Sequence, residues 1–144
     1  MLRMTAGTTS RLLKCERGVV ALEFVILAPA LLALVFGIVI YSLYFAASIG
    51  VQQAASEGAR AAVAGLSKTE RDTLAKTRAD QVIENYRSVL GNGPKADVKL
   101  TSASGTYTVT VSYNVGATAM MKYNLIPLPA KIITASVTVT NGGY

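Results

Sequence analysis

The sequence predicts an α+β chain: a long N-terminal helix, a second helix, and a small antiparallel sheet of about three strands. Three observations carry that expectation. None of the 33 residues between Glu23 and Glu57 is charged. From there to about residue 90 the apolar positions recur at helical spacing. Beyond Pro94 the period changes to two, with Val and Tyr alternating against Thr and Ser.

Residues 1–17 are polar and basic, and few large apolar groups could offset the cost of ordering them. Arg3, Arg11, Lys14 and Arg17 stand there against Glu16 alone. Through Gly18 this is a net +3 out of the chain's +6, so half the net charge belongs to a short tail. Six of the remaining ten basic residues, Arg60, Lys68, Arg71, Lys76, Arg78 and Arg87, are interleaved with acids, which argues against nucleic-acid binding.

Phe24 to Ala47 forms one apolar run. As a helix it spans about 36 Å at ~1.5 Å per residue, against a hydrocarbon core of ~30 Å. Tyr41 and Tyr44 fall at its far end, where amphipathic rings favour the headgroup layer, and the basic tail marks the near end as cytoplasmic. Pro29 is tolerable because local adjustment in lipid can satisfy the carbonyl it strands. A secretory signal peptide would have an apolar region of only about 7–15 residues followed by a small-residue cleavage site. Here the one early candidate, Ala28-Pro29-Ala30, lies inside the run.

From Ser48 to Leu66 the composition turns to small residues, and Val51, Ala55, Ala59, Ala62, Val63 and Leu66 recur at helical spacing. The membrane helix should continue through them. Gly50, Ala54 and Gly58, four apart, leave one face nearly bare. That face can admit a partner helix or pack on the chain's own domain. Ser67 with Glu70 reads as a capping box, opening a second helix from Lys68 to about Leu90. Its apolar face should hold Leu74, Val82, Tyr86, Val89 and Leu90, and Gly91-Asn92-Gly93-Pro94 should end it.

Val98 and Leu100 begin the first strand. A turn at SASG precedes a second strand, with Tyr107, Val109, Val111, Tyr113 and Val115 on one face. Ile133, Ala135, Val137 and Val139 mark the third. The apolar face of this sheet should cover a helix. The link from Gly116 to Lys131, with Met120, Met121, Leu125, Ile126 and Leu128, is too apolar for an idle loop. It either packs into the core or forms a partner-binding edge.

The chain has no histidine, and its one cysteine, Cys15, lies in the basic tail. Ser-His and Cys-His nucleophilic pairs, imidazole bases and most zinc sites are thereby excluded. No phosphate-cradling glycine loop precedes a lysine. The expectation is a non-enzymatic chain with no cofactor and no metal.

The stretch Arg17 to Phe24, RGVVALEF, followed by the apolar helix, resembles the processing site of type IV pilin-like proteins. The finer resemblance is to the TadE-like minor pseudopilins of tight-adherence (Tad/Flp) pili. It rests on RG, small apolar residues and EF, the segment ILAPALLALVFGIV, the Ala/Arg-rich QQAASEGARAAVAG, and the strands TYTVTVSYNV and ITASVTVT. Major pilins of that class usually show Glu-Tyr and are far shorter, so Glu23-Phe24 and the strand-bearing domain point to a minor subunit.

The resemblance implies cleavage by a membrane-embedded prepilin peptidase between Gly18 and Val19, with Glu23 as the fifth mature residue. It implies a basic leader over residues 1–18, a transmembrane helix over 19–47 and a periplasmic or extracellular α+β domain over 48–144. The location would be the bacterial inner membrane, single-pass, N-terminus cytoplasmic and C-terminus periplasmic, with incorporation into an extracellular pilus. The implied partners are the peptidase, major and minor pilin subunits, the inner-membrane assembly platform and the lipid bilayer. Without cleavage, the same residues describe a single-span anchor presenting a small periplasmic interaction domain.

Overall fold

The computed structural model describes residues 16–87, 93–118, 121–122 and 126–140. The elements are α1 (Glu16–Val63), α2 (Lys68–Arg87), β1 (Asp97–Ala103), β2 (Thr106–Asn114), a 3-10 turn (Val115–Ala117) and β3 (Ile132–Thr140). This is the α+β arrangement expected. The chain divides into two compact units, Met1–Ile38 and Val39–Tyr144. The basic tail through Cys15, and Val89, Leu90, Met120 and Leu125, lie outside the described residues.

Within the first unit, α1 is helical straight through Pro29. Its large side chains face outward all round: Val19, Phe24, Ile26, Leu31, Leu34, Phe36 and Ile38 are each more than half exposed. The helix is long and apolar enough to cross a membrane, with a mean hydropathy of 2.7 over a window that is only 6% buried. A soluble core helix of such composition would be mostly covered.

The second unit is built the opposite way. From Ile40, which is buried, α1 turns mostly small residues inward: Ala47, Ala54, Ala55, Ala59 and Ala62, with Ile40 and Val51 the larger members. α2 answers with Ala75, Ala79, Val82 and Ile83. A Cβ added at Gly58 would lie 3.0 Å from the Ala75 carbonyl oxygen and 3.3 Å from both Ala79 Cβ and Val109 Cγ1. Three elements therefore meet at Gly58, and any side chain there would press on all three. At Gly50 the added atom would sit 2.8 Å from the Tyr86 ring. The bare face of Gly50, Ala54 and Gly58 is thus filled by the chain's own α2 and sheet.

Two positions expected to continue the apolar stripe differ: Val63, at the end of α1, is 59% and Leu66, beyond it, 92% exposed. The reason is the corner at Gly65, whose N–H donates to Ala62 O and whose carbonyl accepts from Arg71 Nε. Val63 is the last residue of α1, just before that corner, and Leu66 follows it, so the helical stripe ends between them. On α2, Leu74 is also more exposed than its spacing suggests, because the helices close on alanine at 75 and 79. The cap at Ser67 forms: Ser67 Oγ accepts from Glu70 N–H, and the Ser67 carbonyl accepts from Arg71 N–H. The Glu70 carboxylate reaches back one residue further than a standard box and accepts from Leu66 N–H.

The sheet has the order β1-β2-β3, antiparallel throughout. β1 and β2 join through Ser104 and Gly105, both at positive φ (20° and 78°), the backbone a two-residue hairpin demands. Inward-facing Tyr107, Val109, Val111 and Tyr113 on central β2 are all but inaccessible. On the opposite face hydroxyls pair across β2 and β3: Thr108 with Thr138, Thr110 with Ser136, and Ser112 with Thr134. In the 116–131 link, Met121 and Thr118 are buried and Leu128 packs against the core.

Candidate processing and assembly site

Gly18 and Val19 lie on α1, near the N-terminal end of the described residues. Val19 is 64% exposed, and Glu23 is exposed as well. Four residues apart on one helix, they share a face one turn apart, with an axial rise of about 6 Å. Val20, Leu22, Phe24 and Val25 around them are equally open. Glu23 is thus a single carboxylate in an uncovered apolar collar. Chemically, that collar can bury itself in lipid or against other apolar helices, and it demands a positive partner wherever water is excluded.

The acids and bases of the second unit behave differently. Glu57 faces Arg60 (3.8 Å) and Arg78 (3.3 Å), Glu84 faces Arg87 (2.9 Å), and Asp97 faces Lys99 (3.7 Å). These are exposed surface pairs, each worth little. No group of three or more His, Cys, Asp or Glu among the described residues could hold a metal ion.

Tyrosine side chains do more than the sequence reading assigned them. Tyr107 Oη donates to Asp72 Oδ1 at 2.6 Å, and Tyr86 Oη donates to Gln53 Oε1 at 2.8 Å. Each bond crosses more than 30 residues of chain, and nothing in local spacing announces it. Burial, then the bond to Asp72 and its charge, push the Tyr107 phenol well above its ordinary value, although nearby Arg71 opposes the shift. Burial also raises Tyr113, against the pull of Arg87. The Tyr113 hydroxyl is buried without a hydrogen-bond partner among the described residues. Tyr41, expected at the headgroup layer, donates to the Pro127 carbonyl at 2.9 Å.

No curated protein and no solved structure matches the chain. A protein family does: residues 18–60 match the TadE-like proteins. The matched segment starts at Gly18 and takes in Val19, Glu23, the uncovered apolar helix and most of the alanine-lined half of α1. The sheet-bearing remainder lies outside it. Over residues 18–60, then, the chain is similar to the TadE-like family.

Proposed function

We propose that this chain is a minor pilin-like subunit, cut after Gly18 by a prepilin peptidase and assembled through its apolar helix. The observation that carries the reading is the uncovered apolar helix with one carboxylate, Glu23, a single turn beyond the Gly18-Val19 bond. Cleavage would create an α-amino group on Val19, mostly protonated at neutral pH with a reference pKa of ~8. That amine and Glu23 are close enough to pair within one subunit or across two. A buried carboxylate lacking its partner costs several kcal/mol, roughly 3–5 when a pair is broken. The pair would therefore fix how far each helix slides along its neighbour.

Cleavage would also remove Arg3, Arg11, Lys14 and Arg17. Those charges hold the N-terminus on the cytoplasmic side, so their loss frees the helix to leave the bilayer for a filament. We take the embedded stretch as residues 19 to about 39, roughly 32 Å of helix. It ends before the apolar run does, because Ile40 and Ala47 are buried by the protein itself. The second unit would then stand on the periplasmic side and contact other subunits, with no catalytic role.

The test separates processing from assembly. Gly18→Ala should block or slow the cut. Glu23→Ala should leave the cut intact but reduce incorporation of the subunit into sheared pili, as read by immunoblot. Normal incorporation of the Glu23→Ala variant would remove Glu23 from the mechanism.

A further inference from the structure

We propose that residues 127–132 form a membrane-surface contact that rests in the phospholipid headgroup layer where α1 leaves the bilayer. The inference rests on residues 19 to about 39 being embedded. The headgroup layer adds about 5–7 Å on each side of the hydrocarbon core. At ~1.5 Å per residue it covers roughly four further residues of helix, so Tyr41 lies within it. Side chains on an α-helix lean toward its N-terminus, which here is toward the bilayer. The Tyr41 hydroxyl is therefore no farther from the lipid than its own Cα. That hydroxyl donates to the Pro127 carbonyl at 2.9 Å, which ties the 127–132 segment to the same depth.

The composition of the segment suits that place. Pro127, Pro129, Ala130 and Lys131 are exposed, and Ile132 is 58% exposed. In water this is a patch of apolar atoms that no described residue covers. In the headgroup layer the prolines and Ile132 lie against the upper acyl chains. The Lys131 ammonium, which forms no ion pair among the described residues, reaches lipid phosphate while its stem stays against apolar surface. Tyr41 serves the same layer with an amphipathic ring whose polar end is already satisfied. The contact would hold the 127–132 segment at the membrane surface before assembly, and it would have to be given up on extraction.

The experiment uses the full chain with Cys15→Ser, carrying one nitroxide at Leu31→Cys, Ser56→Cys or Ala130→Cys. Each variant is placed in nanodiscs of phosphatidylcholine and phosphatidylglycerol doped with a nickel-chelating lipid. The label at 130 should relax several-fold faster than the label at 56, while the label at 31 should be accessible to oxygen and shielded from nickel. If the label at 31 is water-exposed, the membrane reading itself fails. If 31 is embedded but 130 relaxes no faster than 56, the headgroup contact is overturned and the membrane reading stands. Lys131→Glu should lose most of the enhancement at 130 in phosphatidylglycerol discs; an unchanged enhancement would overturn the phosphate contact. A label at 130 immobilised only when other pilus subunits are present would also overturn the proposal, in favour of a protein partner.

Discussion

The two halves of α1 are both apolar, yet they solve opposite problems. Up to Ile38 the large side chains, Val, Leu, Ile and Phe, point outward, and almost none is covered. From Ala47 to Ala62 the buried positions are nearly all alanine, with two glycines, Gly50 and Gly58, at the closest approaches. Large outward side chains require an apolar medium or an apolar neighbour, since each exposed Leu or Phe forgoes about 1.5–3 kcal/mol of burial in water. Small inward ones let two helices and a sheet meet almost backbone to backbone. A hydropathy scale sees one apolar helix; side-chain size separates the part that needs an outside partner from the part that has found one.

The comparison is broken most sharply by placing the same charge on the outer half of α1 and in the core that the inner half packs into. Val109→Asp would put an unpaired carboxylate into the closed core, where Val109 is fully buried. It should destabilise the second unit by more than about 4 kcal/mol and abolish its cooperative thermal transition in detergent. Leu31→Asp, at a 60% exposed position, should leave that transition in place. It should instead cost about 2.5–3.5 kcal/mol of membrane insertion, seen as protein lost from the washed membrane fraction. A matching loss of the thermal transition in both variants would erase the distinction between the halves.

Alkaline pH gives a smaller effect, confined to the second unit. Tyr107 and Tyr113 both have phenols raised above the ordinary 10.0, the first by burial and Asp72 and the second by burial. A raised phenol keeps the folded state neutral while the unfolded chain ionises near pH 10. The stabilisation is therefore complete below about pH 10 and is lost progressively as pH rises past it. Denaturant midpoints should be flat from pH 7 to about 9.5 and fall beyond. Tyr107→Phe should lower the midpoint at neutral pH, through the lost bond to Asp72, and make the alkaline fall shallower. Ser67→Ala should give the smallest change, about 1 kcal/mol, since it removes only the cap on α2.

Regular features of the second unit could be read from the sequence because local physics dictates them. Alternation from Tyr107 to Tyr113 placed β2 with its inner face correct, and Ser67 with Glu70 placed the start of α2. Local periodicity failed where tertiary geometry interrupts it. Val63 and Leu66 continue the helical stripe in sequence but lie at the corner at Gly65, and Leu74 yields the helix interface to Ala75 and Ala79. Whether the Gly50, Ala54 and Gly58 face meets a partner or the chain's own domain could not be read locally, since Tyr86 and Ala75 fill it from more than 15 residues away. The bonds of Tyr107 to Asp72 and of Tyr41 to the Pro127 carbonyl leave no trace in spacing for the same reason. For the candidate site, the Gly18-Val19 bond and Glu23 were legible as a motif on a helix, and the structure adds their exposure on α1.

The central claim concerns one peptide bond. Intact-mass and N-terminal peptide mass spectrometry of the chain, extracted from membranes of cells containing the prepilin peptidase, reads it directly. The account predicts a mature species beginning at Val19, with Gly18 and everything before it removed. A species still beginning at Met1 in those cells would contradict it and leave the chain an uncut membrane anchor.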